Sequence, residues 1–301
     1  MGTLGRISWS GAVDETELFP AIFARVQEIE ARLTRFREDS EISQLDGQWR
    51  AVGADTEAVL SAAQLHQAGT CGHFSALLGA QMRSWARIAG GASGAGTDRA
   101  RSEPLAPPHP AVGALEVEGS RCRVIGAPPR AVDLGGIAKG YAADQLRDLA
   151  VALGADDVLV SLGTSSMAVA GAPARIGLAS PWAGWERAGV LTLARGALAV
   201  SADSGTMPGQ VRQRSHVLDP ATGEPAITDL CCVVVCGADG MACEAYSTAF
   251  LAMGLDAALE IDAAHPELAT MFLTVNGRML ASPALGFAAQ RGLQDWLASN
   301  R

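Results

Sequence analysis

Glu244 and Thr248 stand four residues apart in CEAYSTAFLAMG, residues 243–254, so on a helix they share one face. A carboxylate beside a hydroxyl is a hard-oxygen pair suited to Mg²⁺, which takes one or two protein carboxylates and leaves other positions to phosphate oxygens. A favourable charge near a helix N-terminus and a threonine bonded back to its own helix explain the same two residues without a ligand. A second stretch, RSHVLDPATGEP at 214–225, expects a short strand carrying His216 and then a tight turn at Asp219-Pro220 and Thr222-Gly223. His216 titrates near neutrality and so has the chemistry of a general base; a lone histidine is more often a satisfied imidazole without a role.

A third stretch is VDLGGIAKGYAADQL at 132–146, where a strand-like AVDL enters Gly135 and Gly136 and a helix is expected after Gly140. Glycines let backbone N–H groups approach a ligand, and a helix N-terminus adds partial positive charge, which suits a phosphate. Lys139 supplies a full charge. The lysine precedes glycine, so this is not the GxxxxGK[ST] phosphate loop, and a glycine turn with a solvated lysine is the plain alternative. The loop SLGTSSMAVAG at 161–171 adds Gly163 and, after it, Thr164, Ser165 and Ser166, which can bond a ligand or make a turn.

Regular elements must position these groups. Leu18, Phe19, Ile22, Phe23, Val26, Ile29 and Leu33 keep helical spacing and predict an amphipathic helix over 15–35, with further helices at 56–68 and 76–89. Glycine, serine and proline at 90–110 read as a flexible connection. A hairpin is expected around Gly119 and Ser120. Strands are expected at 157–161, 167–171, 175–179, 190–194, 198–202, 230–236 and 270–275, and helices at 141–153, 243–253 and 256–264. Such mixing of strands and helices predicts an α+β fold of helix and sheet layers.

With 23 basic and 32 acidic residues the net charge is -9, and the basic residues are scattered, so no nucleic-acid footprint is present. An anionic ligand needs local positive help. No run of 18 apolar residues marks a membrane span, and the first residues lack a signal-peptide layout. Six cysteines without CxxC spacing fit thiols in a reducing, cytoplasmic compartment. Cys231, Cys232 and Cys236 alternate with valines on an expected strand, so their side chains are expected to divide between its two faces as core packing.

Taken in order, these stretches resemble the ApbE family, the FAD:protein FMN transferases. Met1-Gly2-Thr3 is similar to that family's opening, LTRFREDSEISQLD at 33–46 to its helix-ending segment, and VDLGGIAKGY to its most recognisable motif. SHVLDPATGEP and CEAYSTAFLAMG resemble its two later motifs, and the five together span nearly the whole chain. The resemblance implies one domain over 1–301 with FAD in a cleft between two lobes. It implies Mg²⁺ at the pyrophosphate and transfer of FMN to a Ser or Thr hydroxyl of an acceptor flavoprotein, releasing AMP. Onto this chain it carries metal ligands at the Ala138 carbonyl, Glu244 and Thr248, and the base at His216. Phe36, Gly135, Gly136, Lys139, Gly163 and Thr164 are carried over as the FAD-binding positions. Glu244 stands where the family usually has aspartate, Phe36 where it has tyrosine, and Ser161 to Ser165 where its loop ends in a carboxylate; the family's threonine-serine-glycine turn is echoed only by VSADSG, with Ser201 and Ser204 as alternative registers. A degenerate FAD binder and an FAD pyrophosphatase giving FMN and AMP are the competing expectations.

Overall fold

A computed structural model describes residues 3–90, 109–182, 186–203 and 216–293. Most of the expected connection at 90–110 lies outside these, as do Met1, Gly2 and Ser204. The chain separates into two compact units, one formed by Met1–Glu30, Gly136–Val217 and Ala226–Arg301 and the other by Ala31–Gly135 and Leu218–Pro225. No helix among the described residues is long and apolar enough to cross a membrane.

The first unit is built on a seven-stranded antiparallel sheet. Its strands in chain order are β1 (Gly5–Trp9), β5 (Val158–Leu162), β6 (Ser166–Ala170), β9 (Gly196–Ala202), β10 (Leu230–Gly237), β11 (Ala269–Thr274) and β12 (Met279–Ala281), and they lie side by side in that same order. The strands β7 (Ala174–Ala179), β8 (Arg187–Leu193) and β13 (Phe287–Ala289) form a second sheet. Two apolar layers follow from β10, whose continuous run LCCVVVCG is buried on both faces, as a central strand requires. Val233 and Val235 pack with Phe250, Tyr246 and Leu255 of the helices α5 (Gly240–Met253) and α6 (Leu255–Asp262). Val234, Cys232 and Cys236 pack with Leu191, Trp182 and Leu285 beside the smaller sheet.

Cys231 corrects the expected division of thiols between two faces. A register shift between Leu230 and Cys232 inserts it as an extra residue, and all three thiols of β10 enter the same apolar layer. Desolvation pushes the Cys231 and Cys236 thiols up to about 12, so they are inert and protonated. All six cysteines are free.

Helix α1 (Glu15–Leu33) buries Leu18, Ile22, Ile29 and Leu33, a narrower stripe than the spacing suggests. Phe19 and Phe23 are exposed, and Phe19 meets Trp9 of β1 edge-on at 5.4 Å. Helix α4 (Ala138–Ala152) starts before Gly140, not after it. Gly140 lies in its first turn, where a Cβ would strike the Gly240 carbonyl, while a Cβ on Gly240 would come 2.6 Å from Gly140 O. Glycine here serves the crossing of α4 and α5 at backbone contact. Asp144 fixes that crossing, accepting from Gly240 N at 2.7 Å and pairing with Arg147 at 2.6 Å.

In the second unit a small sheet orders β2 (Arg50–Ala51), β4 (Arg121–Ile125) and β3 (Ala114–Glu118), with β3 and β4 joined around Gly119 at φ 54°. Helices α2 (Ala54–Gly69) and α3 (Gly79–Gly90) belong to the same unit. The AVDL segment is extended but joins no sheet. It bonds instead to the loop before α3 and to the first residue of that helix, through Asp133 N to Ala76 O at 2.8 Å and Gly79 N to Ala131 O at 2.7 Å. The 219–225 turn forms as expected, with the Asp219 carboxylate accepting from Ala221 N at 2.9 Å and Gly223 at φ 72°. His216, however, precedes only an isolated Leu218–Pro225 bridge rather than a strand.

Two outcomes test this packing. Gly140→Ala should cost about 2–4 kcal/mol in urea denaturation, since backbone must move, while Gly47→Ala, with nothing near its added Cβ, should stay within about 0.5 kcal/mol. Asp144 is raised from 3.8 to about 6, chiefly by desolvation, with Gly240 N–H and Arg147 pulling the other way. The folded state therefore holds a proton that the unfolded chain has lost, so stability from this group is present below about pH 4 and lost as pH rises toward about pH 6. Urea midpoints should show that slope disappearing in Asp144→Asn, which keeps an acceptor for Gly240 N–H.

Candidate active site

Glu244, in the second turn of α5, is 4% exposed. A buried carboxylate is stable only when paired and hydrogen-bonded. Its Oε1 takes the Lys139 ammonium and the Ser166 hydroxyl, and its Oε2 accepts from Gly140 N at 2.9 Å. The first amides of a helix lack intrahelical partners, and Ile137 gives α4 no side-chain cap. Glu244 supplies that cap from the neighbouring helix, at the positive end of the α4 dipole. The close α4–α5 crossing is what brings it within reach.

Hydroxyls extend the site along α5. Ser247 is buried, donates to Glu244 O at 3.1 Å and lies 2.9 Å from Ser201 of β9. Ser201 in turn lies 3.4 Å from the Thr248 hydroxyl. Sequence reasoning left Ser201 open and missed Ser247 and Ser166. The only signal for Ser166 was its place in a hydroxyl-rich turn, and for Ser247 its place beside Thr248.

His216 keeps an exposed face, yet the protein around it desolvates the imidazole and moves its pKa below the ordinary value; Asp203 opposes that shift and Lys139 adds to it. Lys139 is thus paired with Glu244, and its charge also disfavours the protonated form of His216. An imidazole kept neutral is able to take up a proton at neutral pH.

The remaining candidates all lie in turns. Gly163, at φ 65° in the turn between β5 and β6, donates to Leu4 O at 2.8 Å, and a Cβ there would meet the Thr3 hydroxyl at 2.7 Å. Thr164 beside it is exposed. Gly136 lies in the turn leading into α4. Phe36 and Gly135 belong to the second unit and are linked through Asp133. Arg35 stacks on the exposed Phe36 ring at 4.5 Å and sets its Nε 2.8 Å from Asp133 Oδ2, while Asp133 Oδ1 accepts from Gly135 N at 2.8 Å.

No three His, Cys, Asp or Glu side chains converge on a metal position among the described residues. A cation would instead meet one carboxylate, hydroxyls and main chain, the hard-oxygen set that suits Mg²⁺. Lys139 already stands as the cation on Glu244, so the carboxylate fits a positive partner. Ala138 opens α4, and its carbonyl has a second lone pair beyond the one that a helix uses.

Comparison with known proteins gives one consistent set. The model of the ApbE family matches residues 1–272. A FAD:protein FMN transferase from Haemophilus influenzae is 26% identical over 282 residues, covering 87% of this chain and 81% of that protein. Another from Treponema pallidum is 26% identical over 326 residues, covering 95% and 85%. Among solved structures, the flavin transferase ApbE of Vibrio cholerae superposes with a TM-score of 0.77 at 22% identity, covering 94% of this chain and 95% of that one. An ApbE protein from Thermotoga maritima gives 0.74 at 24% identity, covering 94% of each.

The electrostatic placement of His216 is open to direct measurement. In NMR titrations of the imidazole, Lys139→Met should raise the His216 pKa and Asp203→Asn should lower it further. Shifts absent or reversed in both variants would remove the two charges from its surroundings.

Proposed function

The chain belongs to the ApbE family, and from that premise we propose that it transfers FMN from FAD to a Ser or Thr hydroxyl of an acceptor flavoprotein, with Mg²⁺ bound and AMP released. The observation that carries this reading is the buried Glu244 carboxylate held by Lys139 and by Gly140 N–H at the start of α4, in the same unit as His216. It combines a cation, a carboxylate and a base candidate in a protein whose net charge otherwise repels a pyrophosphate.

The acceptor hydroxyl oxygen bonds to the phosphorus of the FMN half, and the bond from that phosphorus to the AMP oxygen breaks. His216, neutral because its pKa lies low, takes the hydroxyl proton. Lys139 offsets phosphate charge, and the first amides of α4 add partial positive charge. Glu244, Thr248 and the Ala138 carbonyl would hold Mg²⁺, which supplies charge stabilisation to the pyrophosphate. Gly136, Gly163 and Thr164 of the first unit are assigned to FAD on the family pattern.

Incubation with FAD, Mg²⁺ and an acceptor flavoprotein should leave fluorescent flavin on the denatured acceptor and release AMP. His216→Ala should slow labelling by about 10²- to 10⁴-fold with FAD still bound. Glu244→Gln should abolish the Mg²⁺ dependence. Free FMN and AMP formed without an acceptor would identify a pyrophosphatase instead, and bound FAD with no AMP under any metal condition would identify a binding protein.

A further inference from the structure

Glutamate at position 244 has one more torsion to fix than an aspartate would have. Side-chain freedom of that kind costs free energy at a site that needs a set geometry. Lys139 cannot fix it alone, being a flexible four-carbon stem ending in a compact charge, with 27% of its side chain exposed. Gly140 N–H holds Oε2 from the helix side. Ser166 is fully buried at the start of β6, and its short hydroxyl reaches Oε1 from the sheet. It is itself accompanied by the Ser165 hydroxyl at 3.3 Å. A carboxylate has about four lone-pair sites, so the three donors leave one for a cation.

We propose that Ser166 is a positioning residue, which locks the Glu244 carboxylate from the sheet and so lets a glutamate serve a divalent cation at this place. The role rests on the metal part of the proposed function. Hydrogen-bond partners behind a metal ligand set its orientation, and their loss costs metal affinity even where the ligand is intact. A serine that merely filled space would affect stability and leave the cation alone.

The test is Mn²⁺ titration of the full chain, followed by electron paramagnetic resonance, without FAD or acceptor. Ser166→Ala should bind Mn²⁺ roughly 10- to 100-fold more weakly than the wild type, and Ser166→Thr, keeping the hydroxyl, within about 3-fold of it. Because threonine adds a methyl group to a buried place, Ser166→Ala is also introduced into Glu244→Asp, whose shorter carboxylate no longer reaches the serine. There the penalty should fall below about 3-fold. Wild-type affinity in Ser166→Ala, an equal penalty in both backgrounds, or no Mn²⁺ binding by the wild type would overturn the proposal. Transfer is read separately: a wild type that binds Mn²⁺ and never labels an acceptor fails the proposed function, while the serine's effect on Mn²⁺ still stands or falls by titration.

Discussion

A carboxylate taken out of water in the middle of a protein constrains everything around it. Removing Glu244 from solvent costs several kcal/mol, and the cost is offset only if a cation and further donors meet it in good geometry. Lys139, Gly140 N–H and Ser166 meet that need from two different elements, α4 and β6. For the α4 amide to reach it, α4 and α5 must cross at backbone contact, which is why glycine stands at both 140 and 240. Asp144 then ties Gly240 N–H to α4 from the other side of the crossing. The apolar layer beneath α5, with Phe250, Tyr246 and Val233, fixes the helix that carries the charge.

The same pair shapes the chemistry. Lys139 neutralises Glu244 and disfavours a proton on His216, so one ammonium links the carboxylate to the base candidate. In a chain of net charge -9, Lys139 and the start of α4 thus have their positive charge matched by the Glu244 carboxylate.

Periodicity carried most of the architecture, because helices α1, α2, α4, α5 and α6 and the long strands bury one face or both. It failed where a local irregularity changed parity, as at Cys231, and where a hydrogen-bonded loop imitated a strand, as at 131–134. Phe19 and Phe23 fit a helical stripe by spacing alone, but the narrower stripe of Leu18, Ile22, Ile29 and Leu33 suffices to cover the core. Glu244 and His216 stood out as candidates from their types and neighbours, while the burial of Glu244 and its partners on α4 and β6 did not. Gly140 was read as the residue before a helix, whereas it lies inside α4 and its demand is helix crossing. Ser166 could not be read, since nothing in a turn of hydroxyls says which one faces a carboxylate 78 residues away.

The most direct measurement of this dependence is the stability of Lys139→Met in two backgrounds. With Glu244 present, removing the ammonium leaves a buried charge unpaired and should cost about 3–5 kcal/mol in urea denaturation. In Glu244→Gln, where no charge needs pairing, the same change should cost less than about 1 kcal/mol. An equal cost in both backgrounds would mean that the carboxylate does not depend on Lys139, and that the α4–α5 crossing is held together by something else.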